Sequence, residues 1–173
     1  MNKLILSISL LFFISIAIGQ ENESRGYIVK VGDNAPNFTA NLTDGNVVSL
    51  AELKGKVVML QFTASWCKVC REEMPIIEEE IWKIQKQNGL VIIGIDRDEP
   101  LETVIEFGKK MKITYPLALD PDADIFGLYA HKKSGITRNV IIDKNGKIAY
   151  LTRLFERNEF NEMKKVINNL LIN

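Results

Sequence analysis

Val57-Val58-Met59-Leu60-Gln61-Phe62-Thr63-Ala64-Ser65-Trp66-Cys67-Lys68-Val69-Cys70 is the stretch that decides the fold. Its first four residues are an unbroken apolar run, the pattern of a strand buried on both faces, so 57–60 is predicted as a central strand. From 68 to 88 the apolar residues Met74, Ile77, Ile81 and Ile84 recur at the spacing of an amphipathic helix. Gly89 is its expected C-terminal stop and Pro75 an expected early kink. The two cysteines therefore stand where a buried strand hands over to a helix.

Downstream, 90–95 reads as a second buried strand, and Leu101, Val104, Ile105 and Gly108 give helical spacing over 101–111. A short strand over 115–119, a short helix over 122–129 and a strand over 140–142 follow. Asn145-Gly146 then turns the chain into the hairpin arm 147–151, and Phe160, Met163, Val166, Ile167, Leu170 and Leu171 mark a last amphipathic helix over 156–171. Upstream, Asp44-Gly45 predicts a hairpin between Phe38 and Val47-Val48. Ser49 is expected to cap a short turn through Leu53 that Gly55 ends. The fold class is α/β, a mixed central sheet with helices on both faces, begun by parallel crossover units and closed by a hairpin and a helix.

The chain has 173 residues, room for one ordinary domain, and its 46% hydrophobic and 25% charged residues are enough to build a core. With 22 basic residues against 22 acidic ones and a single histidine, it carries no electrostatic footprint for nucleic acid. His131, beside Lys132 and Lys133 in a predicted loop, is read as facing solvent. The triplets beginning at Asn22, Asn37 and Asn41 fit a glycan acceptor pattern common by chance and are given no role.

Residues 1–19 read as a secretory signal peptide: Lys3, an apolar run from Leu4 to Ile18, then Ala17 and Gly19 as the small residues before a cut at Gln20. The run is short for a membrane-spanning helix, and no cysteine stands near the cut to carry a lipid. Residues 20–30 are expected to be a flexible tether and 31–173 the folded domain. An exported, periplasmic location sets Cys67 and Cys70 among oxidants, where a thiol pair cycles or locks as a disulfide.

At a helix start, free backbone N–H groups and the positive end of the helix dipole stabilise an anion, so Cys67 is expected to ionise near neutral pH. Lys68 would favour that thiolate unless it is simply an exposed charge. Cys70, one turn in and more covered, suits the resolving of a mixed disulfide. An inert staple is the first alternative, although closing so short a loop removes little chain entropy. A metal site is the second, and His131 is the sole imidazole available to complete it.

The segments Val31-Gly32-Asp33-Asn34-Ala35-Pro36-Asn37-Phe38, Asp44-Gly45, Ser49-Leu50, Lys54-Gly55-Lys56-Val57-Val58, Phe62-Thr63-Ala64-Ser65-Trp66-Cys67 and Cys70-Arg71-Glu72-Glu73-Met74-Pro75 together resemble the exported thioredoxin-fold reductases of the TlpA and ResA type. The resemblance covers about 31 to 170 and implies a thioredoxin-like fold with an N-terminal hairpin and an inserted helix and strand. It implies protein disulfide substrates, a membrane thiol as electron donor, a place in cytochrome c maturation or general extracytoplasmic thiol repair, and no cofactor or metal.

The resemblance also assigns roles. Glu73 matches an acid that exchanges protons with the cysteine pair; read without it, Glu73 is one solvated charge among Glu72, Glu78, Glu79 and Glu80. Gln61 takes the strand position where thioredoxins keep a buried acid. Trp66 would pack beside the active-site helix or in the core, and Ile136, Thr137 and Arg138 would form the wall opposite the cysteines. The family's cis-proline is replaced by Thr137, for which a cis bond would cost about 2.5 to 4 kcal/mol, so a trans peptide is expected. Thr137 restores an N–H and adds a hydroxyl beside the sulfurs. Arg138 could orient a thiolate or a peroxide, the basis of an alternative thiol-dependent peroxidase reading, but Ala64 occupies the place of the threonine found in peroxiredoxins.

Overall fold

The structure, a computed structural model, describes residues 25–172. The signal-peptide reading of 1–19 and the start of the tether lie outside the described residues. The hairpin β1 (Thr39–Asn41) and β2 (Val47–Ser49) forms a small antiparallel sheet of its own. The main sheet has the order β5-β4-β3-β6-β7, built from β3 (Val57–Thr63), β4 (Leu90–Arg97), β5 (Leu117–Asp120), β6 (Arg138–Ile142) and β7 (Ile148–Arg153). β3, β4 and β5 run parallel, and β6 and β7 are added antiparallel. The helices are α1 (Lys68–Ile77), α2 (Lys83–Gln85), α3 (Leu101–Met111), α4 (Asp124–Tyr129) and α5 (Arg157–Ile172).

Every residue of β3 is buried, as its apolar run requires. Alternation along the strand sends Val58, Leu60 and Phe62 to a core shared with Phe126 and Tyr129, and Val57 and Met59 to a second core with Met74, Ile77, Phe107, Phe160 and Met163. Gln61 and Thr63 continue the second face.

Three expectations need correction. The helix runs on through Pro75, and its irregularity comes one turn later, as a π-helical turn at Glu78–Trp82. Pro75 has no N–H for the carbonyl four residues back, and the Glu78 N–H is shared by the carbonyls of Met74 and Pro75. The wider turn rotates the apolar stripe, leaving Ile84 58% exposed and drawing Glu78 inward, where its carboxylate accepts from Thr114 N (2.8 Å) and Oγ1 (2.7 Å). Gly89, at φ 90°, stops the helical run as expected. Ser49 precedes the 3-10 turn Leu50–Leu53 but makes no side-chain capping bond.

The tether reading fails at its C-terminal end. Tyr27 is buried, pairs with Ala130, and its hydroxyl donates to the carbonyls of Asn139 (3.1 Å) and Thr152 (2.7 Å). The aromatic ring supplies apolar area that the polar sequence around it conceals. Tyr27→Phe leaves two buried carbonyls without this donor and is expected to lower stability by about 1 to 3 kcal/mol in urea unfolding, where a flexible tether would show no change.

Candidate active site

The chain leaves β3 at Ala64 and reverses within three residues, the Cys67 N–H donating to the Ala64 carbonyl (3.1 Å). Cys67 is thus the N-cap of α1, and its sulfur accepts from the Cys70 N–H (3.2 Å). The two cysteines form a disulfide with Cα atoms 5.3 Å apart. Both are buried, Cys70 completely, whereas Cys67 keeps 7% of its surface exposed. The more reachable sulfur is the one at the helix N-terminus.

Antiparallel pairing of β6 with β3 sets Arg138 opposite Phe62, so the residue just before β6 arrives over the disulfide. That residue is Thr137, whose Oγ1 lies 3.2 Å from Cys67 Sγ and 3.3 Å from Cys70 Sγ. Its peptide is trans, like every other among the described residues. Ile136 is buried beside it in the core that holds Phe62. Trp66 flanks the cysteines 57% exposed, so its core alternative is ruled out. Lys68 is exposed and pairs with Glu72 at 3.9 Å. His131 faces solvent.

Arg138 is not a wall residue. Its side chain is fully buried, its guanidinium donates to the carbonyls of Gly135 and Arg25, and it stacks over the rings of Tyr27 (4.9 Å) and Phe126 (5.6 Å). β6 alternation turns it away from the face that carries Asn139, and the N-terminal segment supplies its acceptors.

Behind the disulfide stands Glu73, 1% exposed, which overturns its reading as a solvated charge. Asn139 Nδ2 donates to it at 2.7 Å and Gln61 Nε2 at 3.5 Å. Gln61 and Asn139 are direct cross-strand partners on the α1 face. Tyr115 OH donates to Gln61 Oε1 (2.7 Å), and Asn139 Nδ2 also reaches Thr152 Oγ1 (2.9 Å). Burial raises the Glu73 pKa to about 7, the bonds from Asn139 and Gln61 opposing it. A carboxyl poised there can give or take a proton at neutral pH. Asn139, Tyr115 and Thr152 were missed in the sequence; the available signal was Gln61 inside the apolar run of β3 and Asn139 beside that of β6.

Among the described residues no group of three or more His, Cys, Asp and Glu side chains is arranged to hold a metal ion.

A parallel-core sheet carrying a Cys-x-x-Cys disulfide at the first turn of the following helix defines a thioredoxin-fold thiol-disulfide oxidoreductase. The chain belongs to the AhpC/TSA family, which it matches over residues 31–151. It is 36% identical over 120 residues to the thiol-disulfide oxidoreductase ResA of one Bacillus cereus strain, covering 69% of this chain and 68% of that one. The ResA of another Bacillus cereus strain is 32% identical over 151 residues, with 85% and 86% covered. Among solved structures, a candidate protein disulfide isomerase from Bacteroides thetaiotaomicron superposes with TM-score 0.83 at 58% identity, covering 86% of this chain and 94% of that one. A candidate thiol:disulfide interchange protein DsbE from Chlorobium tepidum gives 0.74 at 26% identity, with 83% and 99% covered. The resemblance seen in the sequence is thus confirmed at the level of family and fold.

Because Glu73 keeps its proton in the fold up to about pH 7 but loses it near 4.5 when unfolded, its contribution to stability is complete at low pH and is lost as pH rises from about 4.5 through about 7. One such group gives a slope of at most about 1.4 kcal/mol per pH unit. Glu73→Gln is expected to flatten the fall in the denaturation midpoint across that window; an unchanged profile would place the titration elsewhere.

Proposed function

We propose that the protein is an exported reductase of protein disulfides, acting through a mixed disulfide at Cys67 that Cys70 resolves. The observation that carries this reading is the asymmetry of the pair. Cys67 is the N-cap, receives the Cys70 N–H and keeps an open edge, while Cys70 is completely buried on α1, three residues before Glu73. In the reduced protein the Cys67 thiolate attacks a client disulfide, forming one S–S bond and releasing one client thiolate. Cys70 loses its proton, with Glu73 as the nearby acceptor, and attacks the Cys67 sulfur, releasing the second client thiolate. The client gains two electrons and two protons, and the protein is left with the Cys67–Cys70 disulfide seen here.

A membrane thiol carrier would return the protein to its dithiol form. The signal-peptide reading of residues 1–19 supports export to the periplasm, and among the described residues no helix is long and apolar enough to cross a membrane. Service to cytochrome c maturation or to general thiol repair rests on the resemblance to ResA-type proteins. In the direction proposed, the reduction potential falls near thioredoxin's roughly −270 mV, while a value near roughly −120 mV would reverse the flow. Cys67→Ser is expected to abolish disulfide reduction and Cys70→Ser to accumulate mixed disulfides, read by non-reducing electrophoresis. Full activity in Cys67→Ser would end the proposal.

In the same reading Thr137 donates its hydroxyl proton to the Cys67 thiolate once the disulfide opens. Thr137→Val keeps the volume and removes the donor. It is expected to raise the Cys67 pKa by about one unit or more, measured by thiolate absorbance or alkylation rate against pH, with little change in fold.

A further inference from the structure

A second acidic arrangement touches the active-site turn from the segment between β4 and α3. Glu99 lies between β4 and α3, and its carboxylate clasps Ser65: Oε2 accepts from the Ser65 N–H and Oε1 from the Ser65 hydroxyl, both at 2.5 Å. The Ser65 carbonyl is held in turn by Arg71 Nη1 at 3.2 Å. Ser65 is therefore fixed at both ends of its backbone, two residues before Cys67 and within the turn closed by the Cys67 N–H. Charge-assisted bonds of this kind are about twice as strong as neutral ones.

Behind Glu99 is Asp96, completely buried, in register with Thr63 at the end of β3. Neither of its oxygens meets a donor group among the described residues, and Glu99 is the carboxyl that acts on it most strongly. A buried carboxylate with no donor is costly, and a protonated one has a single donor to offer. A proton on Asp96 shared toward Glu99 satisfies both groups. Burial, followed by the charge of Glu99, raises the Asp96 pKa to about 8.

We propose that Glu99 is a positioning residue for disulfide exchange, holding Ser65 and with it the exposure of the Cys67 sulfur, and that protonated Asp96 locks Glu99 in place. This rests on the reading of Cys67 as the attacking sulfur. When Asp96 ionises, a second negative charge confronts Glu99 in a buried site, the clasp loosens and the Ala64–Cys67 turn opens. The other charge acting on Asp96 is Asp98 on its own segment; Arg71 on α1, with Glu106 and Lys110 on α3, lines the cleft beside Ser65 and Trp66. None of these last is buried as Asp96 is.

The test is iodoacetamide alkylation of Cys67 against pH in a Cys70→Ala background, each rate corrected for the thiolate fraction. The parent is expected to show a second rise in rate centred near pH 8. Asp96→Asn, whose amide donates to Glu99 at every pH, keeps the clasped rate and loses this rise. Glu99→Ala alkylates at the loosened rate throughout, about tenfold or more above the parent at pH 7. Glu99→Gln, which keeps one acceptor, falls between them. The proposal is overturned if the parent shows no second rise, if Asp96→Asn retains it, or if Glu99→Ala matches the parent. Alkylation reads the sulfur and not turnover, so a chain unable to reduce client disulfides would still show both steps, and an active chain lacking them would refute the clasp alone.

Discussion

Strand β3 has no wet face, and every residue from Val57 to Thr63 is buried. Its backbone groups must be met within the sheet, by β4 on one side and β6 on the other. That double pairing fixes where three chain ends meet. The carboxyl ends of parallel β3 and β4 and the amino end of antiparallel β6 come to one edge, so Cys67, Glu99 and Thr137 arrive together from three separate parts of the chain. The site is a consequence of register: slipping β6 by one residue would turn Asn139 from Glu73 and carry Thr137 off the sulfurs.

The central strand, the helix after it, the hairpin and the closing helix were legible because each rests on local pattern, an apolar run or a period. The cysteine pair was legible because its place at a strand-helix junction carries the chemistry. Tyr27 was not legible, since a lone aromatic in a polar segment gains its meaning only from the pocket between Asn139 and Thr152. Arg138 was misread for the same reason. Its neighbour Thr137 is placed by the resemblance, as the residue standing for the family's cis-proline, but which way Arg138 turns depends on strand alternation and on carbonyls at Arg25 and Gly135.

Acidic residues show the limit most clearly. Glu72, Glu73, Glu78, Glu79 and Glu80 look alike in sequence, yet Glu73 and Glu78 are buried. Rotational phase decides, and the phase shifts at the π turn, which no apolar spacing announces. Glu73, Glu78 and Asp96 each survive burial by a different means. Glu78 takes two donors from Thr114, Glu73 takes long and short amide bonds, and Asp96 has no donor other than a proton of its own among the described residues.

Thr137 closes the argument about the sulfurs. A hydroxyl has one proton to donate, and in the disulfide two sulfur atoms compete for it at nearly equal distances, 3.2 and 3.3 Å. Reduction breaks the tie. The Cys70 N–H already points at Cys67, so negative charge settles there, and the hydroxyl follows the charge. Two donors then converge on one sulfur while the other remains a buried thiol. A proline in the same place would bring neither a hydroxyl nor an N–H, leaving the helix terminus alone to distinguish the cysteines. In the proposed mechanism the difference between attacking and resolving sulfur is therefore reinforced from the sheet as well as from the helix, by a residue whose position β6 sets and whose chemistry the cysteine motif does not reveal.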